Sequence, residues 1–114
     1  MRVGSRSVAH LESEGYVVLK QVLSDVEAAE VVDLTWEYMA ALGTGVDRAD
    51  VATWGNERWP FSVEGGIMPA LWVGQSAPQW RVRGAPKVKQ AFAAIWGTEE
   101  LLTSFDGMSL WRPW

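Results

Sequence analysis

One long, well-capped helix places the strongest constraint on how this chain folds. Ser24-Asp25-Val26-Glu27 is a capping box, in which the Ser24 hydroxyl accepts from the Glu27 amide and the Glu27 carboxylate accepts from the Ser24 amide. Apolar residues then recur at helical spacing, and Gly43 follows as a stop signal. These apolar residues are Ala28, Val32, Trp36, Met39 and Leu42. The sequence therefore predicts a helix from the cap at Ser24 to Gly43.

A short helix and a short strand are predicted ahead of the long helix. Ser7 can cap a helix over Val8 to Glu14, which Gly15 ends. The run Tyr16-Val17-Val18-Leu19 is apolar and consists of β-forming residues. We expect a strand there that is buried on both faces. Residues 1–43 thus form a first section of N-terminal helix, strand and long helix.

Residues 44–85 are predicted to be rich in loops, with short helices. No sustained period runs through residues 46–69, and single helical turns are expected near Asp50 to Trp54 and at Pro69 to Trp72. Ser76 followed by Pro78 is typical of a capped helix start and predicts a short helix through Trp80.

Residues 86–114 are predicted to form a helix followed by a strand. Pro86 opens the helix and Gly97 ends it, and Thr98 is expected to cap one further turn. From Leu102 to Arg112 the side chains alternate with the period of a strand, with a bulge expected at Gly107.

The composition limits the class of protein. A chain of 114 residues with 48% hydrophobic residues is expected to form a single domain at most. The sequence has no cysteine, which fits a reducing compartment, and we expect a cytoplasmic protein. No apolar run approaches the about 20 residues of a membrane span, and no secretory signal is expected. We therefore expect no membrane partner.

Charge and tryptophan are unevenly distributed. Residues 1–50 carry four bases and nine acids, a net charge of −5, and residues 51–114 carry six bases and five acids, a net charge of +1. Neither half is the basic body of a nucleic-acid binder, so no nucleic acid is expected as a partner. Of the eight tryptophans, Trp36 is in the long helix and seven lie in the second half. That half therefore needs a large apolar core, of its own or supplied by another polypeptide.

No catalytic, metal-binding or cofactor-binding residue is predicted. A non-haem iron site needs two histidines and a carboxylate, and His10 is the single histidine of the sequence. We interpret it as a partly exposed residue near the carbonyl end of a helix. Asp47 and Asp50 match no calcium-loop spacing and are interpreted as a solvated turn. No serine lies in a Gly-x-Ser-x-Gly motif, so a serine triad is not expected either.

Two features leave alternatives open. The basic residues Arg81, Arg83, Lys87 and Lys89 form a local cluster that is either a clamp for a carboxylate or phosphate or ordinary surface charge. Asp106 lies in the predicted strand, where a carboxylate is unfavourable, and it either lines a polar cleft or caps the bulge.

Several stretches resemble the N-terminal part of phytanoyl-CoA dioxygenase-like proteins. The similarity begins with a short helix, an acid-Gly-Tyr-Val-Val step and a Leu-Ser pair before a long helix, and it continues over nearly the whole chain. The residues that carry it are His10 to Ser24, Trp80-x-Val82-Arg83-x-x-Pro86-x-Val88, Phe92-Ala93-x-Ile95-Trp96-Gly97-Thr98, and Leu101-Leu102-x-Ser104-Phe105-Asp106-Gly107.

The resemblance implies a fold and a chemistry. Proteins of this family are Fe(II)- and 2-oxoglutarate-dependent oxygenases that hydroxylate unactivated C–H bonds. The expected fold class is α+β: the helix-dominated N-terminal part of a double-stranded β-helix, or jelly roll, with an incomplete barrel. The family's His-x-Asp, distal histidine and oxoglutarate-binding arginine have no counterpart here. Fe(II) and 2-oxoglutarate are thus implied for a full-length relative, while this segment binds neither and is inactive alone.

The resemblance also suggests a site and partners. Trp80, Arg83, Asp106 and Trp111 are the candidate lining of a substrate cleft. The expected partner is the remainder of the barrel or an intact copy of the enzyme. Two alternatives remain, an autonomous tryptophan-rich helical binding module and a degenerate, non-catalytic partner of an intact enzyme.

Overall fold

The computed structural model describes residues 4–60, 67–68 and 72–113, and in these ranges the chain is helix-dominated. Two single 3₁₀ turns, Val51–Trp54 and Val73–Gln75, interrupt the loops. The other elements, in chain order, are α1 (Ser5–Glu14), α2 (Asp25–Ala41), β1 (Ile67–Met68), α3 (Ala77–Arg83), α4 (Pro86–Trp96) and β2 (Met108–Ser109).

The long helix and its capping box are confirmed. The Ser24 hydroxyl accepts from the Glu27 amide at 3.2 Å, and Glu27 Oε2 accepts from the Ser24 amide at 2.8 Å. The helix ends at Ala41, and Gly43 takes a left-handed conformation with φ +72°. Local sequence signals therefore fix both ends of α2.

The first helix is confirmed, but its predicted cap is wrong. α1 begins at Ser5, its N-cap is Gly4, and no side chain caps it, so Ser7 lies inside the helix. Gly15 ends it in a left-handed conformation, as expected.

The predicted strand at Tyr16 to Leu19 is wrong. Residues 16–19 carry no strand assignment, and Tyr16 and Val18 are 62% and 75% exposed. Val17 and Leu19 are half-buried, so the segment is extended with one face inward. A strand requires a hydrogen-bonded neighbour, and none pairs with this segment within the described ranges.

The helices of the second half are confirmed with two local corrections. α4 begins at Pro86 and ends at Gly97, which has φ +69°. Ser76 precedes α3, but its hydroxyl donates to the Val73 carbonyl at 2.6 Å and does not cap the helix. The helical turn predicted after Thr98 is absent from the described structure. Instead, the Thr98 hydroxyl accepts from the Glu100 amide at 3.1 Å and forms a local, non-helical turn.

The strand predicted over Leu102 to Arg112 is confirmed only for two residues. β2 pairs antiparallel with β1, with Ile67 opposite Ser109 and Met68 opposite Met108. Upstream of β2, the Asp106 carbonyl accepts from a side chain, Arg83, and is not part of the β1–β2 pairing. The helical turn at Val51–Trp54 is confirmed with Asp50 as its cap, whereas the turn predicted at Pro69 to Trp72 lies mostly outside the described residues.

The main helix–helix contact joins α2 to α3. Met39, Val73 and Pro78 are the largest fully buried side chains of the described structure. At the edge of this contact, Arg81 Nε donates to Glu30 Oε2 at 2.9 Å, and Arg81 Nη2 lies 3.5 Å from Glu27 Oε1. Arg81 therefore links α3 to the capping box of α2. Within the described ranges, no helix has both the length and the apolar character needed to cross a bilayer.

The charge on Glu27 should make the α2–α3 contact sensitive to acid. The pKa of Glu27 is held below its ordinary value, first by the Ser24 amide and then by the Ser24 side chain and Arg81. A lowered pKa in the folded state means that the stabilisation is complete above the ordinary glutamate pKa of about 4.3 and is lost as the pH falls through the lowered value. We expect Glu27→Gln to flatten the fall in stability between pH 5 and 3, measured by urea denaturation at several pH values.

The glutamine variant isolates the charge, since glutamine can still complete a capping box. The control is Val26→Ala, which alters an adjacent, 79% exposed residue of the first turn without touching a titratable group. If Glu27→Gln retained the full acid-dependent loss of stability, the assignment to Glu27 would be wrong.

Candidate functional site

Arg83 lies at the centre of the region where three of the four predicted cleft residues meet. It is in the last turn of α3, where its guanidinium reaches two backbone carbonyls from separate loops. Nη1 donates to the Gly74 carbonyl, and Nη2 lies 3.4 Å from the Asp106 carbonyl. Because the guanidinium is a planar fork with five donors, it can hold both loops against α3 at once.

Two aromatic rings lie against the Arg83 guanidinium. The Trp80 and Phe105 ring centroids are 5.5 Å apart, and Arg83 Cζ is 5.6 Å from the first and 5.8 Å from the second. The Trp80 indole N–H donates to Gln75 Oε1 at 3.2 Å, which fixes the ring. Trp80 and Phe105 are 44% and 58% exposed, so they present an aromatic surface to solvent beside a cation. We call Arg83, Trp80 and Phe105 the Arg83 cluster.

Asp106 joins this region through its backbone. Its carboxylate accepts from the adjacent Gly107 amide at 2.8 Å, and its side chain is exposed. The Gly107 carbonyl in turn accepts from Gln79 Nε2 at 3.1 Å, which ties the start of β2 to α3. Of the two alternatives for Asp106, the structure shows local capping of the backbone just before β2.

The four basic residues do not share a binding point. Arg81 pairs with acids of α2, whereas Arg83 binds backbone carbonyls. Lys87 Nζ lies 3.4 Å from the Gln21 carbonyl, and Lys89 lies on the rim of a groove described below. Three of these cations therefore hold elements of the fold together, which favours a structural role over a single anion clamp.

Trp111 lies in a different place from the other three predicted cleft residues. It lines a groove of about 310 Å³ on α2, together with Trp36, Trp54, Trp59 and Arg112. The Trp36 ring centroid is 5.1 Å from that of Trp54 and 6.2 Å from that of Trp59. We call these three residues, Trp36, Trp54 and Trp59, the tryptophan cluster. Sequence reasoning did not find it, although the excess of tryptophan was its signal.

Arg112 fastens residues 110–113 to the tryptophan cluster. Its Nη1 donates to the Trp54 carbonyl at 2.9 Å, and its Cζ lies 5.3 Å from the Trp59 ring centroid. The Trp54 indole N–H donates to the Asp47 carbonyl at 2.8 Å, so the cluster is also anchored to the turn before it. Residues 110–113 therefore form part of the lining of the groove on α2 and are held there by Arg112.

A second groove, of about 440 Å³, lies beside α4. We call it the α4 groove. One wall is a stripe of α4 at helical spacing, Val88, Phe92 and Trp96, and the opposite wall includes Leu101 and Leu102. Phe92, Trp96 and Leu102 are 55%, 69% and fully exposed. A large apolar surface is thus open to solvent.

The residues present do not fit an iron site. His10 is exposed on α1, and its ring packs edge-on against Tyr16 at a centroid distance of 5.4 Å. In the part of the chain that the structure describes, no three histidine, cysteine or acidic side chains come together as metal ligands would. A 2-His-1-carboxylate site also needs a second histidine, which the sequence lacks.

Comparison with known proteins gives a partial match. The chain is 34% identical to "Ava biosynthesis cluster protein O" of Aspergillus versicolor over an alignment of 110 residues, which covers 89% of this chain and 35% of that protein. The chain therefore spans about a third of the length of the curated relative it matches. No protein-family model matches the chain, and no solved structure matches it.

Proposed function

We propose that this chain is the N-terminal segment of an Fe(II)- and 2-oxoglutarate-dependent hydroxylase of the phytanoyl-CoA dioxygenase-like type, and that it is inactive alone. The oxygenase assignment rests on the sequence resemblance from His10 to Gly107. The segment assignment rests on the length of the Aspergillus versicolor relative, because the alignment with this chain covers only 35% of that protein. The exposed apolar surface of α4 is consistent with a chain that needs further polypeptide to cover it.

In this proposal the segment supports a jelly-roll barrel that other polypeptide completes. The long helix α2 would lie on the outer face of the barrel, and β2 would continue into its sheet. When bound by the complete enzyme, iron would activate O₂ with 2-oxoglutarate as the source of two electrons. No step of that chemistry is assigned to residues of this chain. A cytoplasmic location, favoured by the cysteine-free sequence, belongs to the same proposal.

The Arg83 cluster would form part of the approach to the substrate. Arg83 is bound to the Gly74 and Asp106 carbonyls, so it would position the Trp80 and Phe105 rings. Those rings would offer an apolar surface to a substrate. Trp111 lies in the groove on α2 and would not contact the same substrate, so the proposed cleft excludes it.

The first test is the activity of the chain itself. We expect the purified 114 residues to form no succinate from 2-oxoglutarate with Fe(II), ascorbate and O₂ present, because the chain has one histidine. We also expect no saturable Fe(II) binding by calorimetry. Turnover above the protein-free blank would contradict the proposal.

The second test is the nucleotide sequence beyond codon 114. The proposal expects a His-x-Asp, a distal histidine and an arginine after it to be encoded downstream, in frame or in a shifted frame, or in a separate gene whose product binds this chain. A downstream sequence without these residues, together with a chain that binds no such protein, would contradict it.

A second candidate function is an autonomous binding module. The tryptophan cluster and Arg112 favour it, since they form a groove entirely within this chain. A module should unfold in one cooperative transition and bind little hydrophobic dye when native. The segment proposal expects a shallow transition and strong dye binding at low temperature, because large apolar side chains are exposed.

A further inference from the structure

We propose that the α4 groove is the surface on which the polypeptide absent from this chain docks, through an apolar ridge flanked by carboxylates. This inference rests on the proposed function, because it takes the chain to be part of a larger enzyme. It goes further by assigning the contact to one groove and by stating the chemistry of the surface that fills it.

The apolar stripe of α4 is only partly covered. Ala91, at one edge of the stripe, is buried, while Phe92 and Trp96, on the same side of the helix, are exposed. The apolar stripe of an amphipathic helix normally packs against a core. The exposed part of the stripe therefore fits a second packing partner.

The groove on α2 is the smaller of the two apolar grooves. It is lined by tryptophans and by residues 110–113, and Arg112 is fastened to Trp54 and Trp59. The α4 groove has comparable apolar walls and a larger volume, about 440 Å³ against 310 Å³. Of these two grooves, the one on α4 has more room for an incoming segment.

The charges at the rim select the partner. Arg83 and Lys89 lie on the rim with Glu99, so the edge of the groove has one more positive than negative residue. A second copy of this chain docking through the same groove would bring together two patches of the same net positive charge, since a two-fold interface pairs a patch with itself. An apolar ridge with flanking Asp or Glu would meet Lys89 favourably.

The polypeptide that supplies the apolar ridge is inferred from the length of the relative. About two-thirds of the Aspergillus versicolor protein lies outside the region aligned with this chain. We therefore take the occupant to be polypeptide equivalent to that remainder, packing against α4 and residues 101–104.

The experiment compares the chain alone with a chimera in which it replaces the aligned third of the relative. Trp96→Ser removes a side chain that lines the groove and is 69% exposed, and Trp72→Ser removes a tryptophan outside the groove that is 86% exposed. In the chimera we expect Trp96→Ser to lower the Tm by about 5 °C or more and Trp72→Ser by no more than about 1 °C. In the isolated chain both changes should be small.

A charge reversal gives a second, independent variant. Lys89→Glu leaves the apolar walls intact, and we expect it to lower the Tm of the chimera by about 2 °C while leaving the isolated chain unchanged. Equal effects of Trp96→Ser and Trp72→Ser in the chimera would overturn the proposal. A chimera whose wild-type form melts no higher than the isolated chain would also overturn it, as would a dimer of the isolated chain that Trp96→Ser dissociates.

The docking proposal and the proposed function fail in different ways. If the chimera converts 2-oxoglutarate to succinate but Trp96→Ser has no specific effect, the docking surface is wrong and the function stands. If Trp96→Ser destabilises the chimera but no iron-dependent turnover occurs, the surface is right and the oxygenase assignment is wrong.

Discussion

Replacing Gly74 with alanine should lower the free energy of unfolding by about 2–3 kcal/mol, the range expected for forcing a methyl group into close-packed structure. A Cβ at Gly74 would lie 2.9 Å from the Phe105 carbonyl oxygen and 3.0 Å from the Asp106 carbonyl oxygen. Both are backbone atoms, so the contact is not relieved by rotating a side chain. Residues 105–106 would have to move away from Gly74, and the Arg83 guanidinium, which binds the Gly74 and Asp106 carbonyls, would lose one of the two.

The change can be followed by urea denaturation with far-UV circular dichroism. With a shallow transition of about 1 kcal/mol per M, a loss of 2–3 kcal/mol lowers the midpoint by roughly 2–3 M. The matched control is Gly55→Ala, because Gly55 has φ −65° and a methyl group added there would have no neighbouring atom within 4 Å. Alanine is compatible with that conformation and should be neutral or slightly stabilising. Equal midpoints for Gly74→Ala and wild type would show that the close approach at Gly74 is not maintained in solution.

Elements set by local signals were predictable from the sequence. Ser24 and Glu27 are three residues apart, and Gly43 and Gly97 closely follow the helices they end. The physics of these features acts within one or two helical turns, so residue order alone reveals it. The same reasoning predicted α1 to within three residues of its start.

The strands were not predictable in the same way. Alternation at Leu102 to Arg112 indicates a residue pattern that suits a strand, but pairing depends on a neighbour elsewhere in the chain. In the described structure that neighbour is Ile67–Met68, which limits β2 to two residues. Tyr16 to Leu19 has the composition of a strand and lacks such a neighbour in the same ranges.

The candidate site also combines a local feature, which the sequence predicts, with contacts between distant residues, which it does not. Trp80 and Arg83 are one helical turn apart, so sequence spacing could place them together. The carbonyls that Arg83 binds belong to Gly74 and Asp106, 9 and 23 residues away, and no spacing rule connects them. Trp111 was predicted to line the same cleft, yet its side chain lies with the tryptophan cluster on α2.

The second large effect is expected at the tryptophan cluster. Trp36→Ala should lower the free energy of unfolding by about 3 kcal/mol, because it removes a half-buried indole that contacts two other rings. Each aromatic pair contributes about 0.5–1.5 kcal/mol beyond the apolar area it buries. The loss should also free residues 110–113, since Arg112 depends on Trp54 and Trp59 being held in place by Trp36.

Two control variants separate the cluster from a general effect of removing tryptophan. Trp36→Phe keeps an apolar ring and should cost less than about 1.5 kcal/mol. Trp111→Ala removes a side chain that is 82% exposed, and its cost should stay within about 0.5 kcal/mol. Urea midpoints give the energies, and the near-UV circular dichroism of the indoles should collapse in Trp36→Ala and persist in Trp111→Ala. If Trp111→Ala lowered the free energy of unfolding as much as Trp36→Ala, the packing of residues 110–113 would account for the stabilisation. The conclusion that Trp36 holds the cluster together would then be wrong.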